Sequence, residues 1–274
     1  MKIAIQGEPG SFSHEAALRM EPGSLIVPCA FSSEVFRSIV DGEVDAAVIP
    51  IENSLAGPVV EHYDLLLEHD VTVERESLLR IRHNLIAMPG NSIDNIRRVY
   101  SHPVALAQCR LFLAQHPKMQ ITPFYDTAGS VKQLMEQSDS HAAAIASLEA
   151  ARHYGGEVLA AAIEDNPQNF TRFYFVRRRA LAVPDPKANK VSLAFMVENR
   201  PGTLVHVLQV FADHGTNLTK IESRPVPGKP WQYVFYADYQ MSAPGETKVP
   251  LEQLLAHCSM VKELGSYRHA QNAS

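Results

Sequence analysis

Through about residue 178 the chain alternates short apolar runs with stretches whose apolar residues recur at helical spacing. This alternation restricts the fold more than any other feature. The runs are KIAIQG, LIVPCA, AAVIPI, HNLIAM, RVYSH, ITPFYD and AAAIAS. Between them lie SHEAALRM, SEVFRSIVDG, PVVEHYDLLLEH, PVALAQCRLFLAQH and SVKQLMEQ. Helical spacing turns one face of a segment toward a core, and a short apolar run suits a buried strand. Their alternation predicts an α/β sheet with helices on its faces. VTVERESLL and TRFYFV read as strands passing between two lobes, with a cleft between the lobes.

The pattern breaks at RRRALAVPDPKANK, which is charged, holds two prolines and lacks periodicity, so it reads as a solvated linker. Beyond it come KVSLAFMVE, GTLVHVLQVFADHG, NLTKIESRPV, WQYVFYADYQM, PLEQLLAHC and VKELGSYR. Their order, strand–helix–strand–strand–helix–strand, is the βαββαβ of a ferredoxin-like domain. The expected division is therefore a first domain over 1–178, a linker over 179–190 and a second domain over 191–270.

Composition narrows the partners. A formal charge of −5 argues against a nucleic-acid-binding surface or a polybasic membrane face. No apolar stretch is long enough to span a bilayer, and MKIAIQGEPG lacks the pattern of a signal peptide. The three cysteines, Cys29, Cys109 and Cys258, show no CxxC spacing, which fits reduced thiols in the cytoplasm. The twelve histidines form no tight ligand cluster, and no phosphate-loop motif is present, so neither metal nor cofactor is expected. His62 and His69, beside Glu61 and Glu68, read as a solvated helix face.

Small polar residues recur where strands give way to helices. They include the segment QGEPGSFS, Asn53 and Ser54 ahead of a helix opening at Pro58, and Ser101 and His102 ahead of Gln108 on the next helix. Thr127 and Ser130 follow in YDTAGS. Singly, each is a helix cap. Together, at strand ends of an α/β fold, they outline a pocket for a small carboxylate compound. In the strand NFTRFYFV, alternation puts Thr171, Phe173 and Phe175 on one face and Arg172, Tyr174 and Val176 on the other. Thr171 is either a plain strand former or a hydroxyl donor shielded by aromatic rings.

QGEPGSFSHEAA, IPIENSLAG, SHPVALAQC, YDTAGS, AAIAS and NFTRF, in this order, resemble the catalytic domain of the prephenate dehydratase family. GTLVHVLQVFADHGTNLTKIESRP resembles its ACT regulatory domain. The resemblance implies a two-lobed, periplasmic-binding-protein-like (type II) catalytic domain and a ferredoxin-like ACT domain. It further implies decarboxylative dehydration of prephenate to phenylpyruvate in phenylalanine biosynthesis, without a cofactor. Matching the family's motifs, Thr171 is the expected catalytic donor, supported by Asn53, Ser101 and Gln108. Ser54, His102, Thr127, Ser130, Asn169, Arg172 and Phe173 are expected around the substrate, although alternation turns Arg172 away from Thr171 and toward a bracing role.

For the effector, L-phenylalanine, the matching positions are Gly202, Thr203 and Leu204, Asn217 and Leu218, and Glu222, Ser223, Arg224 and Pro225. An effector site at a subunit interface implies a homodimer or homotetramer. Thr203 stands where the family commonly has Ala, and Val104 where it often has Gln, which bears on feedback and on substrate choice. No chorismate mutase segment precedes the first domain, so a monofunctional chain is expected. Arogenate dehydratase and a non-catalytic amino-acid sensor are the alternatives.

Overall fold

The computed structural model describes residues 1–226, 228–241, 249 and 251–270. Met1–Val60 with Ser77–Phe173 make one compact unit, and Glu61–Glu76 with the described residues from Tyr174 to Ala270 make another. Among the described residues no helix is long and apolar enough to cross a membrane.

The first unit opens with β1 (Lys2–Gln6), α1 (Phe12–Met20), β2 (Leu25–Cys29), α2 (Ser32–Asp41), β3 (Ala46–Asn53) and β4 (Gly57–Pro58). β1 lies parallel to both β2 and β3. α2 turns Val35, Phe36 and Ile39 inward and stops at Gly42, whose φ of 77° bends the chain back so that its N–H reaches the carbonyls of Ser38 and Ile39. Pro58 does not open a helix; it pairs with Glu52 in β4. The next helix, α3 (Val60–Glu68), and most of β5 (Val71–Arg80) fall in the other unit.

A second sheet follows. It is built from β6 (Asn84–Ala87), β7 (Arg98–Ser101), α4 (Pro103–Ala107), α5 (Arg110–Ala114), β8 (Gln120–Pro123), α6 (Thr127–Gln137), β9 (Ala142–Ala146), α7 (Leu148–Tyr154) and β10 (Glu157–Ala160). Its strand order is β10-β6-β9-β7-β8. β9 is AAAIA and fully buried because helices cover both faces. Ala143 and Ile145 join Leu106, Cys109 and Leu113, while Ala142, Ala144 and Ala146 meet α6 and α7. α7 and β10 were not expected from periodicity; both are short.

PVALAQCRLFLAQH is two helices rather than one. The Asp165 carboxylate accepts the N–H groups of Arg110 (3.1 Å) and Leu111 (2.9 Å), capping α5, while its own N–H takes the Gln108 carbonyl (2.7 Å). Gln108 therefore ends α4 instead of lying along a helix. The chain crosses between the two sheets twice, and the crossings are bonded to each other. Ile81 N–H donates to the Asn169 carbonyl (2.8 Å) and Ile163 N–H to that of His83 (2.9 Å). The second crossing leads into β11 (Phe170–Arg178), which neighbours β3.

The second unit continues with β12 (Lys190–Met196), α8 (Thr203–Asp213), β13 (Asn217–Pro225), β14 (Tyr233–Gln240), α9 (Leu251–Leu255) and β15 (Met260–Tyr267). The order β13-β14-β12-β15 is the expected ferredoxin-like sheet, and β5 joins beyond β15. That junction needs Gly265, because a Cβ there would lie 2.2 Å from the Val73 carbonyl oxygen. Pro250, at the start of the expected last helix, lies outside the described residues.

Val207, Val210 and Phe211 of α8 pack on Leu193, Phe195 and Ala237. Helix α3 also docks within this unit. Tyr63 packs at a tilt against Tyr236 with ring centroids 4.9 Å apart, Asp64 pairs with Arg224 at 2.8 Å, and Lys262 Nζ donates to the Leu66, Leu67 and His69 carbonyls at 2.7–3.0 Å. His62 is consequently fully buried, correcting its reading as a solvated face. The arginine run is likewise engaged rather than a solvated edge, with Arg177 3.6 Å from Glu74 and Arg179 3.2 Å from Asp70.

Candidate active site

Within the first unit a cavity of about 1150 Å³ opens between the two sheets. Thr171 and Phe173 of β11, Asn53 at the end of β3, Gln108 at the end of α4, and His102 and Thr127 at helix starts all line it. Thr171 is 8 % exposed, so its hydroxyl is largely withdrawn from bulk water.

The donor arrangement is specific. Asn53 Nδ2 donates to Thr171 Oγ1 (2.9 Å), Asn169 Oδ1 (2.7 Å) and the Phe170 carbonyl (3.1 Å). The Asn53 carbonyl oxygen is held by the N–H groups of Leu55 (3.0 Å) and Ala56 (2.8 Å), which fixes the amide orientation. Thr171 Oγ1 is thus an acceptor toward Asn53, and its own hydrogen is left for the cavity. Hydrogen bonding onto that oxygen also favours its deprotonated form, which makes the hydroxyl a better donor.

Gln108 extends the network. Its Oε1 accepts from Asn169 Nδ2 (3.0 Å) and lies 2.9 Å from His83 Nε2, and its Nε2 donates to Asn53 Oδ1 at 3.5 Å. Because Gln108 presents an acceptor, His83 Nε2 carries the proton. The Nδ1 lone pair of His83 is buried without a hydrogen-bond partner. His83 itself is 2 % exposed and lines the cavity. Sequence reasoning missed it. In IRHNLI it is one of twelve scattered histidines, and its partner lies 25 residues away.

Burial, the largest influence, holds the His83 imidazole below its ordinary pKa of 6.5. Between the lowered folded value and 6.5 the unfolded chain takes up a proton that the folded chain does not. The stability His83 permits is therefore complete above 6.5 and declines as pH falls below it. Urea unfolding at about pH 7.5 and 5.5 should show a smaller acid loss in His83→Gln than in the parent. Equal losses would exclude this assignment.

Other expected residues stand outside the cavity lining. Ser101 Oγ donates to the Ile145 carbonyl (2.5 Å), and Ser130 Oγ to that of Thr127 (2.6 Å). Ser54 Oγ donates to the Gln168 carbonyl (3.0 Å) and accepts the Phe170 N–H (2.9 Å). These hydroxyls tie backbones together. Asn169 is fully buried behind Asn53 and Gln108. Arg172 pairs with Glu52 at 2.9 Å, so it braces β11 against β3. Among the described residues no lysine or arginine lines the cavity; Glu8 and Asp126 do, with Glu8 paired to Lys132 at 3.1 Å. Burial foremost raises the Asp126 carboxyl above its ordinary pKa. Val104 also lines the cavity, and Ser11, Phe12 and Ser13 bring the start of α1 to it.

In the second unit the effector positions divide. Gly202 has a φ of 86° and precedes α8, where Thr203 Oγ1 donates to the Glu198 (2.7 Å) and Arg200 (2.9 Å) carbonyls. Leu204 and Leu218 pack against the domain core. Pairing in the sheet puts Pro225 opposite Tyr233 at one end and Asn217 opposite Gln240 at the other. Leu218 and Glu222 are thereby about 13 Å apart along the strand.

The profile of the prephenate dehydratase family matches residues 3–181, and that of the ACT domain matches 191–238. An Arabidopsis thaliana protein named arogenate dehydratase/prephenate dehydratase 2, chloroplastic, is 38% identical over 97% of this chain and 72% of its own length. The structure of a prephenate dehydratase from Arthrobacter aurescens, in complex with L-Phe, is 33% identical with a TM-score of 0.87, covering 100% of this chain and 92% of that one. A structure described as GqqA, a novel type of quorum quenching acylase, is 32% identical with a TM-score of 0.89, each chain covered to 99%. With the Thr171-centred cavity in one unit and a βαββαβ sheet in the other, the chain belongs to the prephenate dehydratase family, a family of lyases.

Proposed function

We propose that the cavity converts prephenate to phenylpyruvate, with Thr171 as the proton donor. The observation that carries this reading is the Asn53–Thr171 bond of 2.9 Å, which occupies the threonine oxygen and leaves its hydrogen for the substrate. As the bond from ring carbon to carboxylate breaks, its electron pair enters the ring and carbon dioxide departs. The ring C–O bond breaks, and the hydroxide leaves as water with the proton from Thr171, which is then restored from solvent. Aromatisation drives the step, so the enzyme's task is to position the substrate and supply the proton.

Gln108 and Asn169 hold Asn53 in place, and His83 holds Gln108. With no lysine or arginine among the described residues of the lining, the substrate carboxylates rest on neutral donors and on the start of α1. Phe173 walls the site, with His102 and Thr127 at its rim. Ser101, Ser54 and Ser130 act by fixing the backbone around it, and Arg172 by bracing.

Arogenate shares the chemistry, and the acidic lining of Glu8 and Asp126 suits its ammonium group. Incubation with each substrate separately distinguishes the two. Phenylpyruvate from prephenate is expected, and no turnover of either substrate by folded protein would refute the enzyme reading.

The second unit is proposed to bind L-phenylalanine and lower turnover by favouring a less active state. One chain holds Asn217 and Leu218 well away from Glu222–Pro225, so an effector touching both sets needs two chains, at least a dimer. The Thr203 hydroxyl is engaged by the Glu198 and Arg200 carbonyls. The same assay with added phenylalanine should show inhibition. The three thiols are free, which is consistent with a reducing cytoplasm.

A further inference from the structure

A second cavity in the first unit, of about 850 Å³, has the opposite electrostatic character. Four arginines line it, Arg19, Arg80, Arg82 and Arg152, against two glutamates, Glu15 and Glu149, in a chain whose formal charge is −5. Arg19 is satisfied by Glu15 at 2.7 Å, and Arg152 stands 4.0 Å from Glu149. The other two are poorly matched. Arg80 comes no closer than 3.9 Å to Glu164, and its Nε is buried without a hydrogen-bond partner. Among the described residues no side chain bonds the Arg82 guanidinium.

The two positions are separated by one residue, Ile81, in the first crossing between the sheets, and both line the cavity. Phe12, Leu148, Val158 and Phe170 supply an apolar floor.

We propose that this cavity binds a small carboxylate carrying an apolar body. Planar guanidinium groups pair with carboxylates through parallel hydrogen bonds, and the apolar floor takes the remainder of the ligand. The size lies within the range of about 300–1,000 Å³ usual for small-molecule sites. The walls come from both crossings, Arg80 to Asn84 on one and Ala161 to Phe170 on the other, so a ligand here touches both crossings.

It is also wired to the first cavity. Glu164 faces Arg80 on one side and accepts the His83 N–H (2.9 Å) on the other, and His83 bonds Gln108. A carboxylate that draws Arg80 away from Glu164 changes the charge next to His83.

The test is calorimetric titration with octanoate, with inorganic phosphate as a second probe. Saturable octanoate binding is expected in the parent and in Thr171→Val. At least a tenfold weaker affinity is expected in the double variant Arg80→Gln/Arg82→Gln and in Leu148→Glu. Leu148 is 45% exposed, so its replacement leaves the fold intact, and unchanged thermal midpoints confirm this for each variant. The proposal is overturned by absence of binding to the parent, by equal affinity in the arginine variants, or by loss of binding in Thr171→Val alone. Phosphate binding as tight as octanoate would overturn the assignment to an apolar carboxylate.

Discussion

Thr171→Val is expected to lower kcat on prephenate by about 10²–10⁴-fold while leaving KM within a few-fold, the range for loss of a positioned acid. Valine keeps the shape of the side chain and its strand preference, and only the hydroxyl is lost. Asn53 Nδ2 then loses one of its acceptors but keeps Asn169 Oδ1 and the Phe170 carbonyl, so the local cost is about 1 kcal/mol. The fold should persist, with a thermal midpoint near that of the parent. Thr171→Ser restores the hydroxyl on the same bond from Asn53 and should recover most of the turnover. Near-parental kcat in Thr171→Val would remove the threonine from the mechanism, whatever the serine variant does.

Lys190→Met is expected to destabilise the second unit by about 3–5 kcal/mol, the cost of breaking a buried ion pair by removing one partner. Lys190 Nζ lies 3.1 and 2.8 Å from the two Glu76 oxygens and 3.9 Å from Asp238. The side chains are 5%, 1% and 5% exposed, so methionine would remove the ammonium that stands between two buried carboxylates. Other groups remain on these carboxylates, the Ala270 N–H on Glu76 and Ser192 Oγ on Asp238, but neutral donors do not replace a charge. Adding Glu76→Gln to Lys190→Met should recover part of the loss. Urea unfolding measures both, and a loss below about 1 kcal/mol for Lys190→Met would contradict the buried-pair account.

Much of the architecture was legible in local pattern. Helical spacing in SEVFRSIVDG marks α2 because Val35, Phe36 and Ile39 must share one side, and Gly42 ends it for a backbone reason internal to the segment. The βαββαβ order of the second unit was likewise readable. Short elements were not, since α7 and β10 carry too few residues for a period to register.

Gln108 shows where local reading stops. Its segment has helical spacing throughout, yet Asp165, far along the chain, caps a new helix at Arg110 and leaves Gln108 at the break, facing the cavity.

The sequence by itself determined the alternation of strands and helices, the βαββαβ order of the second unit, and the candidacy of Thr171, Asn53 and Gln108. Tertiary structure decided which polar groups face the cavity. It turned the hydroxyls of Ser54, Ser101 and Ser130 onto backbone carbonyls, brought His83 to Gln108, buried His62 and paired Lys190 with Glu76. The physical reason is range. Periodicity and capping act within a few residues, whereas a buried polar group must be satisfied by whatever the fold brings beside it, and Asn53 meets Thr171 across 118 positions of the chain.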